Sequence, residues 1–385
     1  NYNLLACDHC EHPLKRVWAI LATIAISSSP SLKPIQVRSV SVRFKPRDDR
    51  GPSMTAGNNR CNTWVTRMAA VSQSSSSMSG PVAGQVRVLD GSMGSQLSDR
   101  GLVKQGDPLW SARVLVSDIS AIEDVHKSYI NSAADVVTTC SYQANVDNLQ
   151  AHLGISASEA EGLIVRSCQA AFAARDHCKR PSVLVAGSVG PYGAAQADLS
   201  EYTGAYGESK SVEELVEWHR PRIRCLVSAG CDILAFETIP AAREAAALVR
   251  LLREFPGTRA WLSFSTSRDA PHCTARGEPL AEAVRDCLGT DASGQVFAVG
   301  VNCCPPQSVE VALRSIGSIQ VAFVAYPNSG EVYTPSGWLP DKNGRPLSAY
   351  VADWIRLGAE WVGGCCRTGP EDIAAVAKVV KLATP

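Results

Sequence analysis

Two adjacent cysteines stand between glycines and an arginine in Gly363-Gly364-Cys365-Cys366-Arg367-Thr368, and a third closes Gly300-Val301-Asn302-Cys303. Each group directly follows a short apolar run of strand-like composition. Three thiols delivered from two strand ends make a site for a soft metal with room for one more ligand, and Zn²⁺ is the expected ion. Three thiolates around it carry a formal charge of −1. Such a centre is a poor Lewis acid for water, but it can bind an incoming thiol, lower its pKa and leave it nucleophilic. The alternatives are three buried apolar cysteines, or a redox-active vicinal pair at Cys365 and Cys366.

Two carboxylates also follow apolar runs. Asp90, in Asp90-Gly91-Ser92-Met93-Gly94, opens a glycine-bearing turn into a helix. A side chain there can hold an ammonium while backbone N–H groups from Gly91 onward meet a carboxylate; an ordinary Asp-Gly turn is the alternative. Glu237, in Phe236-Glu237-Thr238, is costly to bury unless it binds a ligand or pairs with a neighbouring loop. The segments 139–145, 188–193 and 326–330 bring Tyr142, Tyr192 and Tyr326 to strand ends. Such rings either line a pocket for a methyl-onium cation or simply pack loops. None of the seven histidines falls at a strand end, so a histidine general base is not indicated.

The elements that must position these groups alternate from residue 85 onward. Strand-like runs fall at 86–90, 135–139, 182–187, 232–236, 260–265, 296–302, 321–326 and 359–364. They are near-continuously apolar, as parallel strands buried on both faces are. Helical periods lie between them, at 119–132, 157–177, 211–229, 241–255 and 279–287. A last helix starts near Pro370, with Glu371 and Asp372 in its first turn. Eight strand–helix units in about 300 residues predict an α/β fold of the (β/α)8 TIM-barrel type. A doubly wound open sheet is the competitor, but polar and cysteine residues cluster after many strand C-termini, and in a barrel those ends share one mouth. The sixth and eighth strands are both even-numbered, so their inward residues share layers, and the two strand axes stand about 10 Å apart across one intervening strand. The glycines at 363 and 364 are expected to bend the chain so that two consecutive cysteines face one centre.

Composition excludes other classes. Thirty-seven basic residues balance thirty-seven acidic ones, which removes the electrostatic case for nucleic acid or an anionic membrane. Fourteen cysteines scattered through 385 residues show no small-scaffold spacing, so a reducing compartment fits better than a disulfide framework. No run reaches the roughly 20 apolar residues of a membrane span. The first eighty residues carry ten Lys/Arg against four Asp/Glu and much serine, and are read as a disordered or targeting-like extension. Cys7 and Cys10, with His9 and His12, form a weak metal motif there. The apolar run 17–26 lacks a persuasive signal-peptide cleavage site. The expected location is cytoplasmic, or plastid if the extension is a transit peptide.

Taken together, the motifs 89–94, 138–144, 236–238, 300–303 and 363–368 resemble those of the zinc-dependent homocysteine S-methyltransferases, in family order across residues 86–385. The segments 107–111 and 326–331 are most similar to the plant-type branch that uses S-methylmethionine. The resemblance implies zinc at Cys303, Cys365 and Cys366, the homocysteine ammonium held by Asp90 and Glu237 beside Gly91, and a barrel over 85–385 following an extension over 1–84. It implies homocysteine and a sulfonium donor as partners, methionine as product, and S-adenosylmethionine or betaine as alternative donors. A non-catalytic barrel with structural zinc, closed by Cys304, is a further alternative. The sequence leaves the oligomeric state open, a monomer included. Ser92 stands where the family usually has glycine, and Cys304 where it usually has a small hydroxyl residue.

Overall fold

The computed structural model describes residues 85–383, apart from 105, 335–336 and 340–343. The expectations for residues 1–84, including the Cys7–Cys10 motif and the apolar run, lie outside the described residues. The strands are β1 (Arg87–Val88), β2 (Val136–Thr138), β3 (Leu184–Val189), β4 (Ile233–Ile239), β5 (Ala260–Phe264), β6 (Val296–Asn302), β7 (Ala322–Tyr326), the hairpin pair β8 (Val332–Thr334) and β9 (Gly337–Leu339), and β10 (Ala359–Val362). Eight of them form one parallel sheet in the order β1-β10-β7-β6-β5-β4-β3-β2. A parallel bridge from Leu89 to Val136 joins its two edges, which excludes the open doubly wound sheet and makes a nearly closed TIM barrel.

The helices are α1 (Met93–Asp99), α2 (Val114–Ser117), α3 (Ile119–Asn131), α4 (Val146–Leu153), α5 (Ala157–His177), α6 (Tyr192–Gln196), α7 (Val212–Ser228), α8 (Ala242–Leu252), α9 (Leu280–Thr290), α10 (Pro306–Ile316), α11 (Ser348–Arg356) and α12 (Pro370–Ala383). Local chemistry sets several of their ends. Ser156 with Glu159, and Ser211 with Glu214, form capping boxes that satisfy orphan N–H groups at the starts of α5 and α7. Ser92 caps α1 by accepting from the Ser95 N–H at 3.0 Å, with an ordinary φ of −77°. The serine in place of the family's glycine therefore costs the first loop nothing and closes a helix end. No helix among the described residues is long and apolar enough to cross a membrane.

Every residue of β4 and β6 is buried, which explains their unbroken apolar runs. Inside the barrel, Trp261, Phe297 and Trp361 form an aromatic plug, with Phe297 and Trp361 centroids 4.9 Å apart. The guanidinium groups of Arg87 and Arg259 sit over the Trp361 and Phe297 rings, 5.8 and 4.9 Å from their centroids. The regular part of β1 is shorter than the run 86–90 suggests. Beyond Val88 the chain changes partner: Leu89 bridges to Val136, and Asp90 turns its carboxylate onto the Thr138 N–H.

Gly300 marks the tightest approach of β6 to β7. A Cβ at that position would lie 1.8 Å from the Val324 carbonyl oxygen. Gly300→Ala is expected to lower stability by about 1–3 kcal/mol, read as a lower urea midpoint with unchanged slope. An unchanged midpoint would show that β7 yields more freely than its packing indicates.

Candidate metal centre

Cys303 stands one residue beyond β6, and Cys365 and Cys366 just beyond β10, with β7 between them. Their three sulfurs lie within 4.8 Å of one another, and Cys303 Sγ is 3.5 Å from Cys366 Sγ. The chain leaving β7 splints the two sides. Cys303 N–H donates to the Tyr326 carbonyl at 3.2 Å, Cys365 N–H to that of Pro327 at 2.7 Å, and Ser329 N–H to that of Cys366 at 3.0 Å. The Thr368 hydroxyl and N–H both donate to the Cys365 carbonyl, at 2.6 and 3.1 Å, tying the vicinal pair into a turn.

The two consecutive cysteines face one centre as expected, and the glycines before them do this without a positive φ. They are required by crowding: a Cβ on Gly364 would lie 2.2 Å from the Thr368 hydroxyl oxygen. The left-handed residues are Cys303 (φ 51°) and Arg367 (φ 63°). For an L side chain that conformation costs on the order of 1–2 kcal/mol, here located at a thiol that must be aimed.

The donor set fits a tetrahedral soft metal. Zinc–sulfur bonds of about 2.3 Å put sulfurs roughly 3.8 Å apart, close to what the cluster already shows. Hydrogen bonds from Cys365 and then Cys366 pull Cys303 well below the usual thiol range, while the bond to Cys303 pushes Cys365 and Cys366 above it. Cys304 is not in the cluster. It packs in the apolar layer of the main core, and burial pushes its thiol up to about 12.

The two expected carboxylates open onto the same space. Asp90, 3% exposed, accepts from the Thr138 N–H at 2.8 Å and from its hydroxyl at 3.1 Å. Burial pushes it up to about 8 against those bonds, and the Glu237 charge adds to the rise. Glu237, on β4, accepts from the Ser188 hydroxyl. Burial pushes it up to about 7, opposed by Ser188 and Tyr326 and reinforced by Cys303. Gly91 passes close to the loop after β10, where a Cβ would stand 2.7 Å from the Thr368 carbonyl oxygen. That carbonyl also accepts from Ser92 N–H at 3.0 Å and the Tyr129 hydroxyl at 3.0 Å, so the Asp90 and Cys365 loops are sewn together.

A family model described as homocysteine S-methyltransferase matches residues 87–380. The chain belongs to the homocysteine S-methyltransferase family. It is 41% identical over 302 residues to homocysteine S-methyltransferase YbgG of Bacillus subtilis (strain 168), covering 75% of this chain and 93% of that one. Homocysteine S-methyltransferase 1 of Brassica oleracea var. italica is 41% identical over 318 residues, covering 77% and 94%. The crystal structure of the Escherichia coli homocysteine methyltransferase MmuM in its metallated form superposes with a TM-score of 0.67 at 38% identity, covering 76% of this chain and 96% of that one.

As a homocysteine S-methyltransferase the chain is an enzyme, and further polar and aromatic residues surround the thiols and carboxylates at the mouth of its barrel. Asn302 is wholly buried; its Oδ1 accepts from Thr238 N–H and the Ser263 hydroxyl, and its Nδ2 donates to the Thr238 hydroxyl, each at 2.8 Å. Thr238 has a φ of 59°, so Asn302 pins a strained residue directly after Glu237. Of the expected aromatics, Tyr142 feels the charges of Glu201, Cys303 and Glu237 and belongs to the mouth. Tyr326 is committed to Ser263 and Trp261, at 2.6 and 2.9 Å. Tyr192 packs on Tyr206 and Trp218 with Lys210 over its ring, so it supports a loop. Tyr202 carries no sequence signal, yet its hydroxyl stands 3.2 Å from Cys303 Sγ.

Proposed function

We propose that this homocysteine S-methyltransferase takes its methyl group from S-methylmethionine and holds zinc at Cys303, Cys365 and Cys366. The observation that carries the reading is the thiol cluster facing two buried carboxylates across one barrel mouth. Bound there, zinc supplies a lowered thiol pKa and keeps the substrate sulfur a nucleophilic thiolate at neutral pH.

The residues do the rest. Asp90 and Glu237 hold the homocysteine ammonium, which returns both buried carboxylates to their charged form. Gly91 lets the substrate carboxylate approach the backbone of its turn. The homocysteine thiol proton leaves to solvent. Its sulfur then forms a bond to the methyl carbon as the donor's S⁺–CH₃ bond breaks, and the bonding pair stays on the departing methionine. A neutral thioether needs no general acid, and the site uses no histidine: His219 is bound to Glu244 and Arg222, and His126 is buried on α3. Catalysis therefore rests on positioning and on exclusion of water.

The plant-like segment 107–111 supports the donor assignment. Asp107 pairs with Arg113 at 2.6 Å, and the Trp110 ring lies against Gly94 of α1. Offering S-methylmethionine, S-adenosylmethionine and betaine in competition for homocysteine, with methionine formation as readout, tests it. Preference for either of the other two would overturn the donor assignment and leave the family intact.

The extension over residues 1–84 is proposed to be dispensable. A chain beginning at Met78 is expected to fold and methylate homocysteine, and loss of soluble protein would place the boundary elsewhere.

A further inference from the structure

The connection from β3 to α7 carries, beside α6, two short 3₁₀ turns, Ser200–Tyr202 and Ala205–Glu208. It is held inward at a conformational cost. Ala197 and Leu199 are left-handed, with φ of 55° and 64°, although neither is glycine. The Ser265 hydroxyl donates to the Glu201 carbonyl at 2.7 Å, and Arg276 donates to the Gly204 carbonyl at 3.0 Å. At Gly193 a Cβ would lie 2.6 Å from the Glu201 nitrogen, so glycine is what lets this loop sit so close.

The fold thereby brings Glu201 into the neighbourhood of the thiol cluster. Its neighbour Tyr202 touches Cys303, and Cys303, Cys366 and the Tyr142 phenol all lie within electrostatic reach of its carboxylate. Glu201 is only 9% exposed, and its Oε2 is buried with no hydrogen-bond partner. Asp90 and Glu237, by contrast, each accept from neighbouring hydroxyl or N–H groups. A buried carboxylate oxygen with no hydrogen-bond partner is unfavourable as an anion unless a cation arrives.

Under the proposed function two cationic groups meet here. The acceptor's ammonium is taken by Asp90 and Glu237. The donor's positive sulfur has to stand next to the attacking sulfur, and so next to the cysteines. We propose that Glu201 is the counter-charge for the cationic methyl donor, a sulfonium, with the Tyr142 and Tyr202 rings as its aromatic neighbours. This rests on the methyl-transfer reading above and adds a donor subsite to it.

The chemistry sets which kinetic constant responds. The sulfonium charge is present in the bound donor and fades as the methyl moves to the thiolate, so a fixed anion favours binding over the transition state. Glu201→Gln is expected to raise the donor KM roughly 10- to 100-fold, with kcat level or raised and the homocysteine KM changed less than about threefold. The thermal midpoint of the unliganded protein should stay level or rise, since an unpartnered buried charge has been removed.

Titration calorimetry gives a second readout without turnover. S-methylmethionine and methionine, its counterpart with a neutral sulfur, would be titrated into the wild-type holoenzyme and the variant. The wild type should prefer the sulfonium, and E201Q should lose that preference. An unchanged donor KM with a lowered thermal midpoint would make Glu201 structural and overturn the proposal. A raised homocysteine KM with an unchanged donor KM would move the residue to the acceptor side and overturn it equally. Failure of the proposed function itself is read separately, from a wild type that makes methionine from no sulfonium donor.

Discussion

Replacing Cys303, Cys365 or Cys366 singly with alanine should abolish both methyl transfer and stoichiometric metal binding. Each contributes one sulfur to a cluster less than 4.8 Å across, so each deletion leaves a two-sulfur remnant. Losing a residue that merely supports a metal ligand typically costs 10- to 100-fold in affinity or activity, and loss of a ligand should exceed that. Metal content per chain and methionine formation would be measured together on the three variants. Cys304→Ser is the internal control. Its sulfur packs in the apolar layer outside the cluster, so the variant should keep its metal, whereas a site closed by a fourth protein thiol would lose it. Full activity in any of the three alanine variants would sink the assignment.

Glu237→Gln should weaken homocysteine use by roughly 10- to 150-fold, the worth of a charge-assisted hydrogen bond of about 1.5–3 kcal/mol. Ser188 still has an oxygen to bond in the variant, so the local geometry should survive. The metal should remain, because no sulfur is touched, and the donor KM should move little. Set beside Glu201→Gln, the result is a crossed pattern: one carboxylate controls the acceptor's KM, the other the donor's. Homocysteine kinetics identical to wild type, or a stripped metal, would give Glu237 another role and discard the substrate pose.

What could be read from the residues follows their physics. Strands buried on both faces are apolar without interruption, so β4 and β6 are legible from one dimension, and the thiols and carboxylates that follow strands stand out against them. Residues whose job is to hold another residue are not legible this way. Asn302 looks like a strand terminus, and only the fold shows it satisfying three partners around Thr238. Glu201 sits in a loop without period, and its burial depends on Ser265 and Gly193, which are distant in sequence. The glycines at 363 and 364 illustrate a subtler point. Their presence signals a special backbone, but glycine serves both sharp bends and close approaches, and composition does not distinguish them. Only the neighbouring side chains do, Leu89 at Gly363 and Thr368 at Gly364.

The pairing of β1 with β10, fastened by the Ser92–Thr368 bond, has a consequence for how the protein is made. On the ribosome the acid of the pocket, Asp90, emerges with the first barrel strand, Cys303 follows the sixth, and the other two sulfurs come only after the last. A nascent chain interrupted before residue 365 carries at most one thiol of the centre and an unclosed wall. Metal insertion at the proposed centre would therefore wait for Cys365 and Cys366, and a product interrupted before them would lack the complete three-sulfur site.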